Sequence, residues 1–266
     1  MHQRRDGSPT TASSTKTSIG SDPSATASDF AIPRPFDTAL SNNFTSPCAT
    51  FFKTMLSDSG FGNCHPFSLM LQTSSGLFDS SKSVFAITRV LEATCSVNSD
   101  QCTKIMDGFA RDLVSDANCQ VDYANSNPQV LQAYNGLVAY EPLYQASCLR
   151  DDGGSYCYAN AVTNTTATTD AYPYYLPLGV ALPGGSRPTC NSCLVDVMAI
   201  FSSFGGNATQ PISKTYNTAA QQINTYCGPN FVNGSATPLK GVASTTTASF
   251  TSTIALFIML FVLFFQ

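Results

Sequence analysis

Ten cysteines constrain the fold of this chain more than any other feature of its sequence. They are Cys48, Cys64, Cys95, Cys102, Cys119, Cys148, Cys157, Cys190, Cys193 and Cys227. Their number is even and all lie in the middle of a 266-residue chain, which in an oxidising compartment predicts a framework of up to five disulfides. The pairing does not follow from sequence alone. The alternative is a set of reduced cytosolic cysteines that serve as small buried apolar side chains.

The surface chemistry favours passage through the secretory pathway. Only 11% of residues are charged, less than half of the roughly 25% usual in globular proteins, so Ser, Thr, Asn and attached glycans must keep the surface hydrated. Four Asn-x-Ser/Thr sequons predict N-glycosylation at Asn43, Asn164, Asn207 and Asn233. A net charge of −4, with 13 Lys and Arg scattered along the chain, predicts no nucleic-acid partner.

The C-terminal apolar run, residues 254–265, predicts a glycosylphosphatidylinositol (GPI) attachment signal. As a helix, a run of this length reaches only about 18 Å, against a hydrocarbon core of about 30 Å. Small residues at 241–244, a polar spacer and the apolar tail match the order of such a signal. We predict that Gly241 carries the lipid, with Ser235 and Ser244 as alternatives. The mature protein would then lack the tail and would be held in the membrane by the GPI lipid.

The start of the chain bears on the same question. Residues 1–6 are polar, and no apolar h-region of a secretion signal follows them. A tail-anchored protein facing the cytosol is therefore the competing interpretation, although it would leave the cysteines in a reducing compartment and the sequons unused. We expect instead that the native N-terminus is missing or differs from the one given.

Composition divides the chain into four segments. Residues 1–35 are rich in Ser and Thr and too poor in large apolar side chains to fold, so we expect them to be disordered. Residues 36–232 contain every cysteine and form the predicted domain. Residues 233–253 form a Ser/Thr-rich stalk or spacer, and residues 254–266 form the GPI-attachment signal.

Apolar residues recur at helical spacing in the predicted domain, whereas the alternation typical of strands is weak. One helical stripe comprises Val84, Ile87, Leu91 and Cys95. Asn127-Pro128 is typical of a helix start, because an asparagine cap precedes a proline in the first turn. The fold class predicted is therefore all-α, a disulfide-stapled helical domain with disordered Ser/Thr-rich tails.

Residues 170–189 interrupt this pattern. Prolines at 173, 177, 183 and 188 remove backbone donors and break a helix. We predict an ordered loop, held near Cys157 and Cys190, that packs apolar and tyrosine side chains onto the helices. Those side chains are Tyr174, Tyr175, Leu176 and Leu178. The alternative is a tyrosine-rich recognition surface.

Two local motifs suggest chemistry at first sight. Cys190 and Cys193 flank the start of a predicted helix, a position that lowers thiol pKa and suits a redox pair. No βαβ pattern surrounds them, so structural disulfides are the favoured interpretation. Residues 151–154, Asp-Asp-Gly-Gly, lack the ligand spacing of a calcium loop and predict a turn.

Histidine and glutamate are scarce in the predicted domain. His65 is its one histidine, and a Ser-His-Asp active site would require it, although a surface or capping role is the simpler interpretation. Glu92 and Glu141 are its two glutamates. A capping or hydrogen-bonding role is the favoured interpretation of Glu141, and the alternative is a buried carboxyl of raised pKa that would suit a hydrolase. We assign no catalytic residue, no cofactor and no metal.

A family resemblance rests on four stretches of the predicted domain. They are FSLMLQTS, QAYNGLVAYEPLYQASCL, YPYYLPLGVALPGGSRPTCNSC and AAQQINTYCGPNFVN. These stretches resemble a cysteine-rich domain of filamentous ascomycete fungi that is known only as a domain of unknown function. The resemblance implies a fungal surface protein with a secretion signal and, commonly, a C-terminal lipid anchor. It implies no catalytic residues.

Taken together, these features predict a GPI-anchored protein at the extracellular face of the fungal plasma membrane or in the cell wall. Its partners would be the membrane, through the lipid, and cell-wall glycans. The expected role is non-enzymatic and structural, adhesive or ligand-binding. The first alternative is a module that binds a sterol or fatty acyl chain in an apolar groove. The second is a carboxylate-dependent hydrolase that uses Glu141.

Overall fold

Helices form the regular structure of residues 30–237, the part of the chain that the computed structural model describes. The α-helices are α1 (Ser46–Ser57), α2 (Ser59–Asn63), α3 (Phe67–Thr73), α4 (Ser75–Ser80), α5 (Val84–Cys95), α6 (Ser99–Leu113), α7 (Gln120–Ala124), α8 (Pro128–Val138), α9 (Tyr140–Ser147), α10 (Cys157–Thr163), α11 (Ser192–Gly205) and α12 (Tyr216–Cys227). Two 3-10 helices, η1 (Tyr172–Leu178) and η2 (Pro211–Lys214), accompany them. Within residues 30–237 no strand forms, only an isolated bridge between Arg150 and Tyr156, which confirms the all-α prediction.

Both predicted tails extend beyond the described residues. Residues 1–29 and 238–266 are outside them, and so are the Gly241 and Ser244 attachment candidates and the apolar run 254–265. Ile32 begins one compact unit, and of the unit before it, Met1–Ala31, only Phe30 and Ala31 are described. Among the helices described, none is both long and apolar enough to cross a bilayer.

Side-chain caps explain where half of the α-helices begin. The capping residues are Asp58, Ser74, Ser83, Asn98, Asn127 and Asn191, each of which accepts a backbone N–H of the first turn. The predicted start of α8 is confirmed, since Asn127 Oδ1 accepts the Gln129 N–H at 3.1 Å and Pro128 follows it. Each such cap contributes about 1 kcal/mol.

Five disulfides join the ten cysteines, so the predicted framework is confirmed. The pairs are Cys48–Cys119, Cys64–Cys102, Cys95–Cys148, Cys157–Cys193 and Cys190–Cys227. Every half-cystine lies in, or within two residues of, the first or last turn of a helix. Three bonds lie within residues 48–148 and two within 157–227, and since no described cysteine is free, no disulfide crosses between these two groups.

Tyr158 joins the two disulfide groups without a covalent bond. It is 2% exposed on α10, in the second group. Its ring packs edge-on against Phe67 of α3, with centroids 4.7 Å apart, and against Tyr174 of η1 at 4.9 Å. Burial, followed by the neighbouring Tyr175, raises the pKa of the Tyr158 hydroxyl. Around Tyr158, the junction is therefore an apolar aromatic contact in which Tyr158 remains neutral.

Aromatic rings also build the core of the first group. The cluster contains Phe36, Phe44, Phe51, Phe52, Phe61 and Phe109. Phe44 stacks on Phe52 at 4.8 Å, and Phe61 meets Phe109 edge-on at 5.6 Å. These distances lie within the range of about 4.5–7 Å that favours aromatic pairs. The cluster fastens the segment before α1 and helix α2 onto α1 and α6.

Two buried or capping carboxylates hold the segment before α1 in place. Asp37 accepts the Ser74 hydroxyl at 2.6 Å and the Ser75 N–H at 2.8 Å, at the start of α4. Burial tends to raise the pKa of Asp37, but these hydrogen bonds outweigh it and leave the pKa lowered. Asp122, 5% exposed, accepts both the backbone N–H and the hydroxyl of Thr45, which precedes α1.

Two local predictions need correction. Val84 was assigned to the buried stripe of α5, but it is 57% exposed, because the face that packs is formed by Ile87, Val90 and Leu91. The segment 170–189 was predicted to be a loop, yet η1 forms within it. Pro173 fits because it lies in the first turn and needs no intrahelical donor, whereas Pro177 lies inside η1 and leaves that short helix without one donor.

The packing predicted for the 170–189 segment is confirmed. Tyr174, Leu176 and Leu178 are each 3% exposed or less, and Tyr175 is half-buried. The Thr215 hydroxyl donates to the Leu176 carbonyl at 2.8 Å and fixes η1 to the end of η2. Tyr172 and Val180, at the edges of η1, remain exposed.

Candidate functional site

A cleft between α6, α8, α9 and the end of α11, called here the acidic cleft, is the first candidate site. Its volume is about 460 Å³, within the range of about 300–1,000 Å³ usual for small-molecule sites. The residues that give it chemical character are Asp107, Tyr134, Glu141, Phe204, Asn207 and Gln210. It therefore combines carboxylates, amides and aromatic rings.

Glu141 lies at the edge of this cleft. Its outer side is exposed, and its Oε1 accepts a hydrogen bond from Gln145 at 3.3 Å. Partial burial against the cleft wall, followed by the negative charges of Asp107 and Asp100, raises the pKa of the Glu141 carboxyl. The hydrogen bond from Gln145 agrees with the hydrogen-bonding role that the sequence favours for Glu141, and its partial burial was the less favoured interpretation. Glu92, by contrast, is exposed on the polar face of α5.

Asp107 is the carboxylate of the acidic cleft that sequence reasoning missed. It occupies the polar face of α6 and is exposed, as expected of an amphipathic helix. It reaches the cleft because α6 packs against both α8 and α9. No sequence signal marks this encounter, since the two carboxylates are 34 residues apart and belong to different helices.

The floor of the acidic cleft contains an acceptor without a donor. Gln210 Oε1 is inaccessible to solvent and has no hydrogen-bond partner among the described residues. Close by, Asn207 Oδ1 accepts the Thr209 N–H at 3.1 Å and the Thr209 hydroxyl at 2.8 Å. The Asn207 Nδ2 group donates to no acceptor in residues 30–237. The cleft thus offers an unused donor, the Asn207 amide, whereas the unpartnered Gln210 oxygen is buried away from solvent.

The second candidate is an apolar groove of about 480 Å³ between α3, α4 and α10. The apolar side chains that line it are Leu71, Leu77, Phe78, Tyr158, Val162 and Tyr175. Phe78 borders the groove and is 66% exposed. Lys82 lies at the rim, 2.7 Å from Asp79 and 4.4 Å from the Phe78 ring centroid.

A smaller polar pocket of about 260 Å³ lies beside the Cys157–Cys193 bond. Asp151 Oδ1 accepts the Gly153 and Ser155 N–H groups, each at 2.9 Å, which confirms the predicted turn at 151–154. Asp170 accepts the Thr189 N–H at 2.6 Å and the Asn164 amide at 2.8 Å. Both carboxylates are thus occupied in holding loops.

The redox hypothesis for Cys190 and Cys193 does not fit the disulfide pattern. Cys190 bonds to Cys227, and Cys193 bonds to Cys157, so the two thiols of the motif belong to different bonds. A Cys-x-x-Cys exchange centre requires its two sulfurs to pair with each other. The structural interpretation of these cysteines is confirmed.

His65 occupies the turn between α2 and α3. Its backbone is left-handed, with φ of 43°, and its carbonyl accepts the Thr94 hydroxyl at 3.2 Å. Burial, followed by the positive charge of Arg34, lowers the pKa of the imidazole. His65 lines none of the cavities described above. Across residues 30–237, no group of three or more His, Cys, Asp or Glu side chains is arranged to hold a metal ion.

The four sequons differ in how their asparagines are engaged. Asn43 and Asn233 are exposed. Asn164 is half-buried, and its amide nitrogen donates to Asp170. Asn207 is half-buried with its amide nitrogen unengaged. Glycosylation at these positions stays a prediction.

Comparison with protein families matches residues 31–237 to a domain of unknown function, DUF7729. Neither the curated proteins nor the solved structures contain a match to the chain. The matched residues include all twelve α-helices and all ten cysteines. The match ends at the last described residue, five residues after the predicted domain boundary at 232.

Proposed function

The chain belongs to the DUF7729 family of domains of unknown function, so we infer its role from its own residues. We propose that it is a GPI-anchored protein of the fungal cell surface. Its role would be non-enzymatic, and structural, adhesive or ligand-binding. One observation carries the proposal. All ten cysteines pair in five disulfides and none is free. Such a framework forms and persists outside the reducing cytosol.

The described C-terminus is consistent with a nearby anchor. The Thr237 N–H donates to the Ser202 carbonyl at 2.9 Å, and the Ala236 N–H donates to Asn217 Oδ1 at 2.8 Å. The chain therefore leaves the domain beside α11 and α12. The predicted attachment residue Gly241 follows four residues after Thr237.

Release by a phosphatidylinositol-specific phospholipase tests the anchor. The full chain, displayed on a filamentous fungus, should leave intact cells after treatment with this enzyme. A Gly241→Trp variant should lose surface display, because the attachment position requires a small residue, whereas Ser244→Trp serves as the matched control. Protein that stays with the cells after treatment, together with thiols that label freely in the cytosol, would support the tail-anchored alternative.

A second candidate function is binding of a sterol or fatty acyl chain, and the apolar groove favours it. The groove is open, lined mostly by carbon, and bordered by an exposed phenyl ring. Burial of apolar ligand surface there would contribute about 25 cal/mol per Å².

Binding of a fluorescent fatty acid tests this second candidate. Phe78→Ser should weaken binding, because the side chain lines the groove. Phe85→Ser is the matched control, since Phe85 is 72% exposed and lies outside the groove. Equal binding by the two variants and the wild type would contradict a ligand in this groove.

A further inference from the structure

We propose that the acidic cleft seats the chain's own N-linked glycan, attached at Asn207, so that its first N-acetylglucosamine packs into the cleft instead of extending into solvent. The inference rests on the secretory route of the proposed function. It assigns an occupant to a cavity whose lining contains two carboxylates, two aromatic rings and the asparagine of a sequon.

The position of Asn207 supports attachment of a sugar at the cleft. Thr209, the third residue of the sequon, holds Asn207 Oδ1 through its N–H and its hydroxyl. The amide plane is thereby fixed and the unengaged Nδ2 remains the attachment point. In the transfer, a bond forms between Nδ2 and the sugar C1, and the bond from C1 to a polyprenyl diphosphate donor breaks. The diphosphate leaves and an Nδ2 proton is released.

The lining of the cleft matches the chemistry of an N-acetylhexosamine. Its hydroxyls and acetamido N–H are donors, and the carboxylates of Asp107 and Glu141 are acceptors. The rings of Tyr134 and Phe204 can cover the apolar face of the sugar.

Because the sugar is covalently attached, weak contacts are sufficient to keep it in the cleft. A sugar tethered at Asn207 has an effective concentration in the millimolar range or above at the cleft, so it competes well with any free ligand. The other sequons lack this arrangement. Asn43 and Asn233 are exposed outside the cleft, and the amide nitrogen of Asn164 is engaged by Asp170.

Occupation of the cleft by the glycan would also exclude a hydrolase substrate from Glu141 and Asp107. The same side chains that a carboxylate-dependent hydrolase requires would serve as hydrogen-bond acceptors for a resident sugar. The two hypotheses for this cleft therefore exclude each other.

The test measures how fast an endoglycosidase that cuts after the first N-acetylglucosamine removes the glycans from the folded protein. The full chain is directed into the secretory pathway of a yeast, purified, and digested without denaturant, and each sequon is followed by mass spectrometry. Trimming at Asn207 should be about tenfold slower than at Asn233, the factor that about 1.4 kcal/mol of docking free energy produces. After denaturation the two rates should agree.

Substitutions on α6 distinguish docking of the glycan in the cleft from simple steric crowding around Asn207. Asp107→Ala should raise the native trimming rate at Asn207 several-fold and leave Asn233 unchanged. Lys104→Ala is the matched control, because Lys104 is exposed on the same helix and outside the cleft. Three results would overturn this inference and leave the secretory proposal standing. They are equal trimming rates at Asn207 and Asn233, an unchanged rate in Asp107→Ala, and an Asn207 without a glycan in a chain that carries glycans at Asn43 and Asn233. No glycan at any sequon would overturn the secretory proposal and this inference with it.

Discussion

His65 shows how a single backbone position limits the choice of residue. Its φ of 43° lies in the left-handed region, which few residues other than Gly, Asn and Asp adopt without cost. The imidazole is also half-buried near Arg34, which lowers its pKa below the ordinary value of 6.5. The residue therefore serves the turn between α2 and α3, in agreement with a capping or surface role.

The lowered pKa of His65 predicts a loss of stability in mild acid. The unfolded chain takes up the proton first, so the contribution of neutral His65 is complete above pH 6.5 and is lost as pH falls through the lower folded-state pKa. His65→Asn keeps the left-handed turn and removes the titration. Between about pH 7.5 and pH 5, the urea midpoint of the wild type should fall more than that of the variant. Parallel midpoints would contradict the assignment.

Residue types in the acidic cleft were only partly predictable. Glu141 was identified because glutamate is scarce in the domain, and Asn207 because its sequon is local. Asp107 and Gln210 carry no local signal, since a surface aspartate on a helix and a glutamine before a proline are common. Their meeting depends on how α6, α9 and α11 pack, which a single sequence does not specify.

At the scale of elements, helix α8 approaches α3 so closely that only glycine fits at position 136. A Cβ on Gly136 would lie 2.8 Å from Leu69 Cγ and 3.1 Å from Leu69 Cα. Because the Leu69 backbone cannot move away as a flexible side chain would, the two helices would have to separate. The close approach of α3 and α8 thus depends on glycine at position 136.

Gly136→Ala should therefore destabilise the domain by about 1–3 kcal/mol, the usual cost of overpacking. Gly108→Ala on α6 is the matched control, because no atom lies within 4 Å of the added Cβ. That change should stabilise by about 0.5–1 kcal/mol, since alanine favours a helix over glycine. Denaturant unfolding of both variants measures the difference, and shifts of the same sign would contradict this description of the crossing.

Helices were the most predictable elements, because apolar spacing, caps and glycine stops are local. The Asn127 cap before α8 is an example. The 3-10 helix η1 was not predicted, since prolines were taken to exclude any helix. Its tertiary hydrogen bond from Thr215 to Leu176 compensates for weak local preference.

For the whole molecule, the disulfides divide the domain into two cross-linked groups. Within residues 30–237 no disulfide joins the two groups, so apart from the backbone they are held together by noncovalent packing. The count of cysteines predicted five bonds, but pairing depends on which helix ends meet, so sequence left it open. The exposed turn at 152–154 connects the groups.

A protease site inserted in the 152–154 turn tests this topology. After cleavage and denaturation without reductant, with stray thiols blocked, the chain should separate into two fragments. A site at Gly184–Gly185 is the control, because the Cys157–Cys193 bond spans it and should keep its fragments joined. Fragments that stay joined after cleavage at 152–154 would show that a disulfide crosses the groups.

The proposed anchor also sets how far the domain stands from the membrane. Thr237 is hydrogen-bonded to α11, and Gly241 is the fourth residue after it. A fully extended chain of that length spans at most about 14 Å. If Gly241 carries the lipid, the side of the domain near α11 and α12 rests close to the headgroups.

The identity of the C-terminal peptide of the mature protein tests the central claim most directly. Mass spectrometry of protein purified from intact fungal cells should find a peptide that ends at Gly241 and carries the ethanolamine-linked remnant of a glycolipid. Residues 242–266 should be absent. A peptide that still contains Phe265 would contradict the lipid anchor and, with it, the placement of this domain at the cell surface.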